Sequence, residues 1–405
     1  MKVLLIDVNC KNSSTGQIVY DLYAYINSQG DEAAVCYGRG KKILEKGIFK
    51  FGIDFETYLH ALLTRITGFT GCYSFFSTMR LINYIKNFEP DVVHIHELHA
   101  YFVNIRPLIN YLKKNHIKTV MTLHCEFAYT GKCGHSFECE QWKSGCKNCT
   151  HLKEYIGTMF FDHTSYMWNQ KKLLFEDYNE LIIAAPSEWL ANRGKESILR
   201  THPVRVIHNG IDTSIFYPRN VTSIRKRYGI SNEDKVFLAL APHLMSDAKG
   251  GKYIIELAEK FKNEKAVFIL IGVDNVNNTE RHNNLIINGS ITDKDELALH
   301  YSLADAFIIC SKRENFPTTC LEAQACGTPI YGFATGGTVE TYLGTQPEKH
   351  FVDYGNIDVL YDLLLSVEKK TDTSVNELRG EALYYFSKDS CSREYYSLYS
   401  QMAEG

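Results

Sequence analysis

"AFIICSKRENFPTTCLEAQACGTPIYGFA" (residues 306–334) decides the fold. It opens on an apolar run, "AFIICS" (306–311), and closes on another, "PIYGFA" (329–334). Between them "TTCLEAQAC" reads as a helix that starts after Pro317 and stops at Gly327, with the proline-first, glycine-last punctuation of helix ends. Strand, helix and strand joined by short connections predict a parallel βαβ unit. The loop "KRENFP" after the first strand carries Glu314, and Glu322 lies about one turn inside the helix. In open α/β sheets such loops face the ligand crevice, so the two acids point into one space from different backbone elements. A carboxylate can accept hydrogen bonds from the vicinal hydroxyls of a ribose or hexose, while free N–H groups near Thr318 and Thr319 can hold phosphate. The competing reading is plain helix capping by acids near an N-terminus.

The same alternation extends outward over the whole chain. Strand candidates in the first half are "VLLIDV" (3–8), "AAVCYG" (33–38), "DVVHIH" (91–96), "TVMTLH" (119–124) and "LIIAAP" (181–186). The second half has "VFLALA" (236–241), "AVFILIG" (266–272) and "LIINGS" (285–290) before the opening stretch. The Asn-Gly turn and Pro218 in "PVRVIHNGIDTSIFYPRN" (203–220) mark a hinge. The expected architecture is α/β, with two doubly wound Rossmann-like domains: 1–207, carrying a cysteine-rich insert at 124–155, and 208–384. Residues 385–405 are expected to form a last helix that packs back near the hinge.

At 405 residues the chain is long enough for two cores. With 45% hydrophobic and 22% charged residues and a net charge of -3, it has a globular composition and no global basic field, which argues against nucleic acid. The N-terminal apolar run is too short for a signal peptide, and no run of about 18 apolar residues occurs, so a cytoplasmic location is expected. Twelve cysteines then read as reduced thiols, with a metal site among them an alternative to a disulfide framework.

Candidate site residues cluster after strands. Gly16 sits at the mouth of a helix, where a glycine lets a phosphate or sugar approach; a simple turn is the alternative. His94, His96, His99 and His124 fall at strand ends, as ligands or as structural hydrogen-bonding groups. "APHLMSDAKGGKYIIELAEKF" (241–261) places His243, Lys249 and Lys252 around a helix start. A lysine there suits a diphosphate, and the rival reading is a solvated surface charge.

"ENFPTTCLEAQACGTPI" (314–330), followed by "ATGGTVE" (334–340), resembles the signature of family 4 retaining glycosyltransferases. "VIHNGID" (206–212), the Gly16 loop, His124 and the Lys249 loop extend the resemblance over nearly the whole chain. It implies the GT-B fold, with a nucleotide sugar bound mainly by the C-terminal domain in an interdomain cleft and the acceptor on the N-terminal side. Carried over by position, His124, Lys249 and Glu314 would be catalytic: His124 beside the reacting carbon, Lys249 on the diphosphate, Glu314 on donor-sugar hydroxyls. Gly16, His243, Asn315, Phe316, Pro317, Thr318, Thr319 and Glu322 would bind the donor, Glu322 through its ribose. His243 stands where the family usually has arginine, and Lys252 and Arg313 are the cations that could replace the missing charge. The implied reaction retains anomeric configuration through same-face attack assisted by the departing phosphate. No catalytic metal is expected, because Lys249 and helix N-termini can neutralise the leaving diphosphate and no DxD-type pair follows a strand.

The insert "HCEFAYTGKCGHSFECEQWKSGCKNCTHLKEY" (124–155) holds a C-x-x-C, Cys146 and Cys149, with Cys133 and Cys139 upstream. The four can close a structural zinc site, with free thiols or a redox-labile disulfide as alternatives and His135 and His151 as reserve ligands. The segment also resembles an insert in one branch of bacterial polysaccharide-assembling glycosyltransferases, where it would staple the acceptor side. "TYLHALLTRITGFTGCYSFFSTMRLINYIKNF" (57–88) is apolar and aromatic, with Arg65, Arg80 and Lys86 interspersed. It suits either peripheral contact with an anionic membrane or two helices packed on the sheet. The expected partners are thus a nucleotide-sugar donor and a glycan or lipid-linked acceptor. The rival readings are a nucleotide-sugar 2-epimerase-like enzyme and a non-catalytic, zinc-stapled interaction protein on a degenerate transferase fold.

Overall fold

The computed structural model describes all residues except 155 and 405, so the last residue of the insert and the last of the chain lie outside the described residues. Two compact units emerge: Met1–His208 together with the chain from Cys391 onward, and Asn209–Ser390.

The first unit is built on β1 (Lys2–Asp7), β2 (Glu32–Tyr37), β3 (Ile48–Lys50), β4 (Val92–Ile95), β5 (Lys118–Thr122), β6 (Leu181–Ala185) and β7 (Val204–Val206). They form one parallel sheet in the order β3-β2-β1-β4-β5-β6-β7. Leu4 and Ile6 feed one core and Val3 and Leu5 another, which is the period-two division of a strand buried on both faces. Helices cover both faces, as parallel crossovers require. The helix Lys388–Glu404 belongs here, because Cys391, Tyr395, Leu398 and Tyr399 complete the core that Val3 and Leu5 line. That helix starts at 388 rather than 385: residues 385 and 386 end the preceding helix, and Ser387 is extended, pairs with Ile211, and accepts the Ser390 amide at its hydroxyl.

The second unit repeats the plan with β8 (Lys235–Leu240), β9 (Ala266–Ile271), β10 (Glu280–His282), β11 (Leu285–Asn288), β12 (Ala306–Ile309), β13 (Ile330–Phe333) and β14 (Phe351–Val352). The order is β10-β11-β9-β8-β12-β13-β14, parallel except for the antiparallel edge strand β10. Val236 and Leu238 enter one core, and Phe237 and Ala239 the other. The opening stretch is indeed β12, the helix Thr318–Ala325 and β13.

Candidate functional site

Each sheet reverses its strand order once, between β1 and β4 in the first unit and between β8 and β12 in the second. A crevice opens at the carboxyl end of the strands at such a point. In the second unit the two loops at this crevice are tied together, since the Lys312 amide donates to the Ala248 carbonyl at 2.9 Å. Gly250, at φ +72°, approaches β12 so closely that a Cβ would stand 2.1 Å from the Cys310 carbonyl oxygen. This approach carries Lys249 Nζ to 2.6 Å from Glu314 Oε1. The Gly337 amide holds the Glu314 carbonyl at 2.9 Å, and a Cβ on Gly336 would meet that same oxygen at 2.0 Å. The glycine pair of "ATGG" therefore fixes the backbone of the acid.

Glu322 Oε2 accepts the Tyr301 hydroxyl at 2.8 Å. Burial pushes its carboxyl up to about 7, against the opposing effects of the Tyr301 hydrogen bond and Lys294. Glu314 and Glu322 both act on the Cys320 thiol, which burial above all pushes up and the two carboxylates push further. The acids thus bracket the start of the helix Thr318–Ala325. Pro317 is its N-cap and offers no side-chain cap, so the first amides, at Thr318 and Thr319, have neither an intrahelical nor a capping partner. Asn315 and Phe316 are buried; Phe316 packs edge-on against Phe386, and its carbonyl accepts Asn209 Nδ2 at 3.4 Å. They form the base of the loop rather than its rim. His243 is three-quarters exposed, with Nδ1 2.7 Å from Asp274 Oδ1.

In the first unit, His124 Nε2 lies 3.1 Å from His96 Nδ1, and burial pushes its imidazole down to about 4 while Glu97 pulls upward. His94 is instead structural, held by the hydroxyls of Tyr399 at 2.6 Å and Thr122 at 2.7 Å. Glu97 Oε2 lies 3.3 Å from His99 Nε2, and its Oε1 accepts the Leu98 amide at 3.0 Å. A pocket here is lined by His96, Glu97, Thr122, His124, Cys125 and Phe127. Asp7 ends β1 fully buried; burial and the Glu97 charge push its carboxyl up to about 7, and Oδ1 has no partner among the described residues. Gly16 lies in the first turn of the helix Ser14–Ser28, its amide donating to Ser13 Oγ at 3.2 Å. A Cβ there would press the Asn9 carbonyl carbon at 3.2 Å.

Cys133, Cys139, Cys146 and Cys149 are half-buried free thiols. Among the described residues, the trio whose ligand atoms already lie within 4.8 Å of one another is Glu97, His99 and Cys125, not any three of these cysteines.

The description "Glycosyltransferase Family 4" matches residues 15–215, and "Glycosyl transferases group 1" matches 220–379. Each falls on one of the two sheets. The chain belongs to the family 4 glycosyltransferases. It is 25% identical over 348 residues to the putative colanic acid biosynthesis glycosyl transferase WcaC of Escherichia coli K12, covering 82% of each chain. Among solved structures it resembles sucrose-phosphate synthase from Thermosynechococcus elongatus, at 15% identity and TM-score 0.68, over 99% of both chains. It also resembles Anabaena HepE in complex with UDP-glucose, at 14% identity and TM-score 0.63, over 99% of this chain and 100% of that one. These neighbours establish the GT-B fold.

Several residues at or behind these candidate sites carry little signal in the sequence. Asp7 ends the apolar run "VLLIDV" but for one residue and Glu97 directly follows "DVVHIH", so the signal at each is an acid at the end of an otherwise apolar strand. Tyr301, Tyr395 and Tyr399 carried no signal, because a tyrosine on an amphipathic helix shows nothing of where its hydroxyl ends.

Proposed function

We propose that this enzyme moves one sugar, with retention at the anomeric carbon, from a nucleotide-sugar donor to a glycan or lipid-linked acceptor in bacterial surface polysaccharide assembly. The observation that carries the reading is the Lys249–Glu314 contact beside the uncapped helix start at Thr318. A fixed ammonium and oriented amides act on the same diphosphate oxygens, while the two carboxylates take sugar and ribose hydroxyls. Glu322 serves the ribose and Glu314 the transferred sugar; Pro317, Thr318 and Thr319 present backbone to the phosphates, and Asn315 and Phe316 hold that backbone in place.

In the transfer, the bond from the anomeric carbon to the phosphate oxygen breaks and its electron pair stays on the diphosphate, where Lys249 offsets the growing charge. The acceptor hydroxyl attacks the same face and gives its proton to the departing phosphate oxygen. His124, kept neutral by burial, is suited to hydrogen-bond the donor sugar without adding charge beside an electron-poor carbon. Gly16 leaves room for the acceptor or phosphate.

The lipid-linked form of the acceptor is favoured by the helix Asp54–Thr67, which buries Thr57, His60 and Thr64 and turns Phe55, Tyr58, Leu59, Leu62 and Ile66 outward. Phe75, Phe76 and Met79 of the next helix are exposed as well, and so are Met159, Phe160 and Phe161, whose segment is tied to the first helix by the Met159 amide on the Arg65 carbonyl at 2.7 Å. An apolar-out helix with Arg65 and Arg80 nearby fits the interface of an anionic membrane, where the acceptor would reside. Among the described residues no helix is long and apolar enough to cross a membrane.

The test is thermal-shift binding of UDP-, GDP-, CMP- and dTDP-sugars to wild type and Glu322→Ala, followed by transfer assays with the stabilising donor. A sugar nucleotide that stabilises only the wild type and is consumed with an acceptor supports the reading. Epimerisation without an acceptor would mean the epimerase-like reading, and no shift from folded protein the non-catalytic one.

A further inference from the structure

Residues 124–163 run from the end of β5 to the helix Thr164–Phe175, and their only regular elements among the described residues are two three-residue turns, Glu126–Ala128 and Gln141–Lys143. So long an irregular stretch inside a compact unit needs something other than backbone ladders to hold it. We propose that Cys133, Cys139, Cys146 and Cys149 bind one structural zinc ion that closes this segment. The inference is independent of the donor and acceptor assigned above.

Three features converge on the thiols. First, the thiols come from separate turns yet act on one another electrostatically: Cys133 with Cys149, and Cys146 with Cys133, Cys139 and Cys149. Second, backbone amides are aimed at sulfur. The Gly131 N–H donates to Cys146 Sγ at 3.2 Å, and that of His151 to Cys149. Gly131 can do so because it has no side chain, since a Cβ would stand 2.6 Å from the Thr164 carbonyl oxygen and 3.0 Å from Cys146 Cβ. Amide donors of this kind are the outer shell that orients metal-bound ligands.

Third, two lysines are buried against the cluster. Lys132 is 2% exposed and donates to the carbonyls of Glu154 at 3.2 Å and Ile156 at 3.0 Å. Lys171 is 1% exposed and donates to the carbonyls of Phe127 at 2.5 Å and Thr130 at 3.0 Å. All four acceptors are neutral, and the sulfurs near these groups are Cys133 and Cys149 for Lys132 and Cys146, Cys125, Cys133 and Cys72 for Lys171. A buried charge needs a countercharge. Four thiolates around Zn²⁺ leave two negative charges in excess, which two ammonium groups balance.

The sulfurs lie farther apart than a closed shell would hold them, and drawing them together is the work that metal binding does for a folding loop. Four thiolates fill a tetrahedral zinc and leave no open position, so the ion would be structural rather than catalytic.

The experiment is metal analysis of the full chain purified under reducing conditions, together with visible spectroscopy after replacement by Co²⁺. About one zinc per chain is expected, and cobalt should give tetrahedral d–d bands with strong thiolate charge-transfer absorption. The double variant Cys146→Ser/Cys149→Ser should lose the metal, and Cys125→Ser should keep it. The cobalt spectrum of the wild type decides the matter even if the double variant does not fold. No bound metal after zinc reconstitution, an octahedral cobalt spectrum without charge transfer, or loss of the metal from Cys125→Ser, which would move the site to Glu97 and His99, each overturns the proposal.

Discussion

Lys249 Nζ and Glu314 Oε1 lie 2.6 Å apart, so in the proposed function the contact that preorganises the lysine must be exchanged for contacts to the donor. Lys249→Ala should therefore lower turnover more than it weakens nucleotide binding. The loss of one charge aimed at a leaving group costs about 10²–10³ in kcat, and the split between kcat and KM in steady-state assays checks it. Glu322 makes a prediction in pH. Its folded-state value is raised to about 7 from an ordinary 4.5, so its contribution to stability is fully present below the unfolded value and is lost as pH rises through 7. At pH 8 the cost is about 3 kcal/mol. Glu322→Gln should thus raise Tm at pH 8 and leave it nearly unchanged at pH 4, with Asp7 keeping a residual slope of the same sign. Nucleotide binding should run the other way: the ionised carboxylate is the better acceptor for ribose hydroxyls, so ligand-induced stabilisation should grow from pH 6 to 8 in wild type and stay flat in Glu322→Gln.

At the scale of elements, the helix Asp54–Thr67 inverts the ordinary rule by facing threonine and histidine inward and aromatics outward. His60 is buried with Nδ1 bonded to Ser74 Oγ at 2.8 Å, and burial pushes its imidazole down to about 4. The variant Phe55→Ser/Leu62→Ser/Phe76→Ser should therefore fold with an unchanged or higher Tm. It should also stop co-sedimenting with anionic vesicles that bind wild type, because each large side chain withdrawn from the lipid boundary forfeits up to about 1.5–3 kcal/mol. Periodicity alone could not decide this. The amphipathic pattern of 57–88 was visible in the sequence, but a helix buried on its apolar face and one exposed on it have the same pattern. The long central strands were legible because burial on both faces gives them unbroken apolar runs. Edge strands β3, β10 and β14 are two or three residues long and paired on one side only, so nothing distinguished them from loops. The proposed donor site was legible through its glycines and acids, whose spacing is set by one strand, one loop and one helix. The Asp7–Glu97 neighbourhood was not, since it depends on two strands distant in sequence becoming neighbours in the sheet.

At the scale of the whole chain, the polypeptide leaves the first unit at His208, builds the second, and returns to the first at Cys391. The returning helix Lys388–Glu404 is a core component of the first unit, with Tyr395 and Tyr399 fully buried. Their hydroxyls reach Thr122 at 2.9 Å and His94 at 2.6 Å, and the His94 ring in turn lies 3.8 Å from that of His96, the partner of His124. The last helix therefore positions the histidine layer from below. Tyr399→Phe, which removes one buried hydroxyl and leaves His94 a bond short, should cost about 1–3 kcal/mol and lower activity through the placement of His124 without changing nucleotide affinity. Truncation after Ser390 removes four core side chains of the first unit at once and should abolish the cooperative unfolding transition of that unit. The second unit ends at Ser390 and owns both glutamates and Lys249, so the truncated chain should still be stabilised by nucleotide. Calorimetry with and without the donor separates the two. A truncated chain that kept both transitions would mean that the cavity left by Tyr395, Leu398 and Tyr399 can collapse, and that the helix is an appendage rather than part of the fold.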